Sequence, residues 1–437
     1  MAAAYFEGQL KTSASFELFV RKLPPSRGYL LAAGLEQALE FLEGLRFTPE
    51  EVDYLRQHPM FAHVGHPFFD YLAEFRFTGE VWAVPEGTPV FADEPLLRVT
   101  APIIEAQIVE TYLLSMSTFQ TMIATKAARL VEASQGRGVV DFGSRRAHGP
   151  EAGLLAARAA FLGGCLGTSN VEAGLRFGIP TYGTLAHSFI MAYRDEEQAF
   201  REFARLFPEN VILLIDTYDT LRAVDKVIRM NCRPAGVRLD SGNLAELAKE
   251  VRRRLDAAGM HETRIYVSSD LDEFAITRLL AQHAPVDFFA VGTALTTSKD
   301  EPALGGVYKL VETREEQAGN ASSPPRFTAK FSEDKNTLPG TKQVFRWKDE
   351  SGLYAHDLLA CAGESYPKAE PLLAPVMRAG RRLAPPPLLE EIRERVRRTL
   401  PCVPPTVREL RNPAPYEVRI SEQLSKLQEQ VRKENMG

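Results

Sequence analysis

Short β-branched or apolar runs separated by helix-period stretches between residues 139 and 312, polar or glycine residues closing nearly every run, and apolar–polar alternation on both flanks together predict the fold class. It is an irregular TIM-like α/β barrel with a discontinuous β-rich (α+β) flanking domain formed by the N- and C-terminal regions. The runs are GVVDFG (138–143), IPTYGT (179–184), VILLID (211–216), GVRLD (236–240), RIYVSSD (264–270), DFFAVGT (287–293) and GVYKLVE (306–312). Residues 244–258, between two of them, repeat apolar side chains about every third or fourth position, as a helix does. Strands joined through helices pair in parallel. The flanks differ: 16–21 and 79–100 alternate around a Pro-Glu-Gly-Thr turn, and 327–331 and 344–347 read as strands after a polar stretch at 314–325. The prolines at 385–387 and 404–405 mark loops, and 417–434 reads as an amphipathic helix. The expected division is therefore 1–114 and 316–437 for the flanking domain and 115–315 for the barrel.

Composition narrows the function classes. A chain of 437 residues with 45% hydrophobic and 25% charged residues is an ordinary folded protein long enough for more than one domain. No apolar run approaches the roughly 20 residues of a membrane span, and Glu7 interrupts any secretory signal, so a cytoplasmic protein is expected. Cys165, Cys232, Cys361 and Cys402 form no CxxC pair, which argues against a zinc knuckle or a disulfide framework. A net charge of -5 gives no general attraction to nucleic acid, so anions must be held by local cations and backbone amides.

In a barrel of this kind the C-terminal strand ends converge on one face. DFGSRRAHGPEAG (141–153) places Arg145 and Arg146 between a strand and a helix, where a planar guanidinium binds carboxylate or phosphate; a surface ion pair is the plain alternative. His187, in GTLAHSFI, reads either as a structural hydrogen-bonding residue or as a proton donor or phosphate acceptor. Asp216 and Asp219 in DTYDT and Asp240 in RLDSGN could hold a divalent metal or ribose hydroxyls, or cap helices. Gly292 and Thr293 make an unspecific phosphate cradle. His58, His63, His66 and Asp70 are interrupted by prolines and fit no zinc spacing, so they read as loop residues. Lys309, Lys330 and Lys335 each read as solvated charges, although Lys330 and Lys335 lie in a loop able to reach phosphate.

These motifs resemble one family, the nicotinate phosphoribosyltransferases, in the fold group shared with the nicotinamide and quinolinate enzymes. The resemblance runs through SFELFVRKLP (15–24), FGSRRAHGPEAG, GTSNVEAG (167–174), GTLAHSF, LIDTYDT, GVRLDSGNL, LGGVYKLVE (304–312), TLPGTKQVFR (337–346) and YEVRISEQL (416–424). It implies attack of nicotinate on C1′ of phosphoribosyl pyrophosphate, giving nicotinate mononucleotide and pyrophosphate, with ATP hydrolysis coupled and Mg²⁺ required. By similarity Phe142 packs on the pyridine, Arg145 and Arg238 face its carboxylate and the forming nucleotide, and His187 is the histidine phosphorylated by ATP. Asp240 binds ribose hydroxyls, with Gly242 in the same turn; Asp216 supports the site and is a candidate for Mg²⁺; Gly292 and Thr293 cradle the 5′-phosphate. The resemblance also implies a head-to-tail homodimer with shared sites, in which Arg21 reaches pyrophosphate in the neighbouring subunit.

Ser169 stands where the nicotinamide enzymes carry the aspartate of a GTD motif, which would repel a carboxylate, so nicotinate is the expected base. The family's opening TDLYQ-like segment, whose tyrosine stacks on the pyridine, has no match; either the true start lies upstream or Tyr5 or another aromatic substitutes. Asn243 replaces the last aspartate of LDSGD. The competing expectations are a nicotinamide-using enzyme of the same fold and a weakly active relative that senses nucleotides.

Overall fold

The computed structural model describes residues 1–315, 323–332 and 335–436. The chain forms two compact units, Met1–Thr121 with Ala303–Gly437, and Met122–Pro302.

In the first unit a seven-stranded sheet is organised about Thr12–Val20, which pairs antiparallel with Gly306–Glu315 on one side and Pro95–Pro102 on the other. Eight of its nine residues are buried, as expected of a strand paired on both edges and covered on both faces. Phe16 stacks on Tyr308 at 4.8 Å, and Leu18, Val81 and Val99 anchor the core below them. The 306–312 run is thus a strand of the flanking sheet and not of the barrel. Its residues give the reason: Lys309 and Glu312 interrupt its apolar positions, whereas a parallel strand buried on both faces is continuously apolar.

A second, four-stranded sheet contains the hairpin Lys342–Lys348 and Tyr354–Cys361. There Arg346 is buried against Asp357 at 2.5 Å and lies over the Tyr354 ring at 4.5 Å. Val418–Ile420, expected as the start of the last helix, is a strand parallel to 357–359; the helix begins at Glu422, after the Ser421 hydroxyl has accepted from the Leu424 amide. Of the strand expected at 327–331, only Arg326–Phe327 pairs. The polar stretch expected at 314–325 falls partly on 316–322, outside the described residues.

The second unit is the barrel. Five parallel strands run in the order Gly138–Asp141, Phe288–Val291, Arg264–Val267, Gly236–Leu239 and Ile212–Leu214. The ring continues through single bridges from Asp141 to Thr168 and from Thr168 to Thr181, and closes where the Leu185 amide donates to the Ile212 carbonyl at 3.4 Å. The expected strand at 179–184 is therefore only a bridge. Pro180 has no N–H to donate and Gly183 adds nothing to pack, so the segment cannot sustain a ladder. Helices Thr220–Arg229, Leu244–Ala257 and Glu273–Ala281 follow three of the strands, capped by the side chains of Asp219, Asn243 and Asp272. Inside this unit Glu273 is fully buried and accepts from Lys126 Nζ at 2.5 Å and Arg129 Nε at 3.0 Å.

Candidate active site

Asp141 ends the first barrel strand, almost wholly buried, and organises the two loops beyond it. Its Oδ1 accepts from the Gly143 amide at 2.8 Å and its Oδ2 from the Thr168 hydroxyl at 2.7 Å. Burial pushes its carboxyl up, against the pull of these two donors. One side chain thus ties the FGSRR turn to the GTS loop and sets Phe142 and Ser169 on the same mouth. Gly143 has to be glycine, because a Cβ there would sit 2.5 Å from the Thr296 side chain. Arg145 and Arg146 extend from the one-turn helix Ser144–Arg146, exposed and with no carboxylate partner among the described residues.

Across the barrel, Arg238 is held by all three guanidinium nitrogens. Its Nε donates to Ser268 Oγ, Nη1 to Thr184 Oγ1 and Nη2 to Asp240 Oδ1, each at 2.8 Å. The clamped guanidinium lies over the Phe142 ring at 5.8 Å. Burial alone would raise the Asp240 carboxyl; the Ser268 hydroxyl, Arg238 and His187 outweigh it and hold Asp240 below the ordinary carboxylate range. Asp216 Oδ2 accepts from the Asp240 amide at 3.0 Å and from the Ser241 hydroxyl at 2.6 Å, while its Oδ1 is buried without a hydrogen-bond partner among the described residues. His187 opens a short helix with Nδ1 3.1 Å from Thr217 Oγ1 and Nε2 3.7 Å from Asp240 Oδ2.

Phe142, Arg145, Arg146, Ser169, Arg238, Asp240, Ser268, Asp270, Gly292 and Thr293 line one cavity of about 510 Å³. Sequence reasoning singled out most of these residues. His187 and Asp216 adjoin it through Asp240. Gly242 lies two residues beyond Asp240 in a left-handed turn (φ 84°) that suits glycine. Asn243 caps the next helix, so the departure from LDSGD preserves a capping acceptor. Asp219 is likewise a cap.

Other candidates lie in the first unit. Arg21 follows the strand Thr12–Val20 beside Asp93, with its Nε buried and without a hydrogen-bond partner among the described residues. Tyr5 packs on that unit's core. The His58 ring accepts from the Met60 amide, and among the described residues no three His, Cys, Asp or Glu side chains gather as a metal cage. Lys330 uses its backbone amide to bond Thr337 Oγ1. Sequence reasoning missed Asp141 as an organiser and Ser268 as a shared hydrogen-bonding partner. Both stand inside recognised strand runs, where an aspartate or serine after a strand looks like an ordinary turn residue.

Comparison with known proteins identifies the family. The family models for the nicotinate phosphoribosyltransferase N-terminal and C-terminal domains match residues 1–117 and 366–428, and that for the quinolinate phosphoribosyl transferase C-terminal domain matches 123–301. The chain is 46% identical over 432 residues to the nicotinate phosphoribosyltransferase pncB2 of Mycobacterium tuberculosis, covering 97% of this chain and 90% of the relative. It is 42% identical over 359 residues to the nicotinate phosphoribosyltransferase of Bacillus subtilis, covering 80% and 72%. The crystal structure of human nicotinic acid phosphoribosyltransferase superposes with a TM-score of 0.85 at 30% identity, over 99% of this chain and 98% of that one. Sequence and fold thus agree along the whole length, and the chain belongs to the nicotinate phosphoribosyltransferase family.

Proposed function

We propose that this chain transfers the phosphoribosyl group of phosphoribosyl pyrophosphate to nicotinate, forming nicotinate mononucleotide and pyrophosphate, with ATP hydrolysis coupled through phosphorylation of His187. The observation that carries this reading is one cavity in which an aromatic ring, two arginines without carboxylate partners among the described residues and a locked Arg238–Asp240 pair face one another. Phe142 offers an apolar face for the pyridine. Arg145, with Arg146 beside it, offers the cation for the carboxylate. Ser169 adds no negative charge to that mouth. Bond breaking at C1′ leaves positive charge on the ribose and negative charge on the departing pyrophosphate. Asp240, kept ionised, is suited to bind the ribose hydroxyls, and the Gly292–Thr293 turn to receive the 5′-phosphate.

His187 has one ring nitrogen beside a hydroxyl and the other toward a carboxylate, and its side chain remains accessible to a phosphate donor. ATP is proposed as that donor on the resemblance of the GTLAHSF motif and the accessible imidazole. Mg²⁺ is proposed on the chemistry of Asp216, whose Oδ1 is a hard oxygen donor with no hydrogen-bond partner among the described residues. The ion would neutralise charge on the leaving pyrophosphate, whose oxygens would complete its shell. We further propose a cytoplasmic homodimer with shared sites, Arg21 serving the partner's pyrophosphate pocket. Val171, Leu175, Met191 and Tyr218 support the dimer: they are 64–86% exposed on segments that follow the site loops.

Purified protein incubated with phosphoribosyl pyrophosphate, Mg²⁺, ATP and each base in turn tests the reading. Nicotinate mononucleotide is expected, and product from nicotinamide alone overturns it. Arg145→Ala is expected to raise KM for nicotinate by about 10- to 100-fold while changing KM for ATP little, since the lost contact is a charge-assisted pair to one substrate. Equal changes in both would remove Arg145 from the carboxylate clamp.

A further inference from the structure

We infer that Ser268 is a positioning residue for phosphoribosyl transfer, one hydroxyl that fixes Arg238 and Asp240 relative to each other. The inference rests on the proposed function, since it concerns the same cavity. Ser268 directly follows the strand Arg264–Val267 and is only 4% exposed. Its amide donates to the Leu239 carbonyl at 2.9 Å, so its backbone is pinned to the very strand that carries Arg238. Its Oγ accepts from Arg238 Nε and donates to Asp240 Oδ1 in a short hydrogen bond.

A serine hydroxyl has one proton and lone pairs to accept with, so donating to the carboxylate while accepting from the guanidinium uses it in both directions at once. The consequence for Arg238 is geometric. With Nη1 on Thr184 and Nη2 on Asp240, the Nε contact is the third point that fixes the plane of the fork over Phe142. For Asp240 the consequence is also geometric. Its Oδ1 takes Arg238 Nη2 and the Ser268 hydroxyl donor together, while its Oδ2 lies 3.7 Å from His187 Nε2, so the carboxylate keeps one position relative to the fork. Alanine at 268 removes that donor and the Nε acceptor together.

The experiment compares wild type, Ser268→Ala and Ser268→Thr for kcat, KM of each substrate, calorimetric binding of phosphoribosyl pyrophosphate and thermal midpoint. In the alanine variant the affinity for phosphoribosyl pyrophosphate is expected to fall about tenfold. KM for nicotinate should change less, the thermal midpoint should stay near that of wild type, and the threonine variant should recover the affinity. An unchanged affinity for phosphoribosyl pyrophosphate in the alanine variant, a threonine variant no better than alanine, or a uniform loss in all substrates that tracks the thermal midpoint, overturns the positioning role. A wild type that neither binds nor uses phosphoribosyl pyrophosphate overturns instead the function on which the inference rests.

Discussion

Replacing His187 with Asn is expected to abolish the ATP hydrolysis coupled to synthesis, by on the order of 10³-fold or more, together with any acid-labile phosphoenzyme, while ATP-independent formation of nicotinate mononucleotide persists. Asparagine can still hydrogen-bond toward Thr217 Oγ1, which lies 3.1 Å from Nδ1, but it has no ring nitrogen with a lone pair to accept a phosphoryl group. The cavity lined by Phe142, Arg238, Asp240 and Gly292 remains intact, so the basal reaction should survive. Incubation with γ-labelled ATP followed by acid and base stability tests reads the phosphoenzyme directly. A coupled ATPase that survives in the variant would remove His187 from that role.

The largest expected effect on stability lies away from the cavity, at Glu273. Lys126 and Arg129 share this fully buried carboxylate; Lys126 also reaches Asp300 at 2.8 Å, but that partner is partly exposed. Burial would raise Glu273, and Lys126 with Arg129 overrides it, leaving the carboxyl below its usual value of 4.5. Glu273→Gln keeps the shape and removes the charge, so two buried cations lose their common counter-ion at a cost of about 3–5 kcal/mol. Urea denaturation at neutral pH should show it as a lower midpoint. The sign with pH comes from the depressed carboxyl: its contribution is complete above 4.5 and disappears as pH falls through the lower folded value. The gap between wild type and variant should therefore narrow in acid. A variant as stable as wild type at neutral pH would show that the cations do not depend on this carboxylate.

Much of the barrel was legible because parallel strands buried on both faces leave continuous apolar runs such as VILLI and FFAV, each followed by polar residues. Those endings mixed two duties that spacing alone could not separate. Asp219, Asn243 and Asp272 cap helices, whereas Asp216 and Asp240 bond each other's surroundings at the cavity. The hidden part is long-range pairing. Nothing local in GVYKLVE says that it joins Thr12–Val20, nearly three hundred residues earlier, and nothing in RIYVSSD says that Ser268 meets both Arg238 and Asp240.

The pairing of Thr12–Val20 with Gly306–Glu315 also orders events during synthesis. Once Pro95–Pro102 has emerged from the ribosome, Thr12–Val20 has a neighbour on one edge only, and its other edge waits for about two hundred further residues. At typical elongation rates that interval is on the order of 10–40 s, during which an apolar strand edge is open to any passing chain. The residues made in the meantime are those of the barrel unit. The barrel's own last strand, Phe288–Val291, is made only about fifteen residues before Gly306, so the barrel sheet and the earliest strand both stay open until nearly the same moment, and that interval is when a chaperone has most to protect.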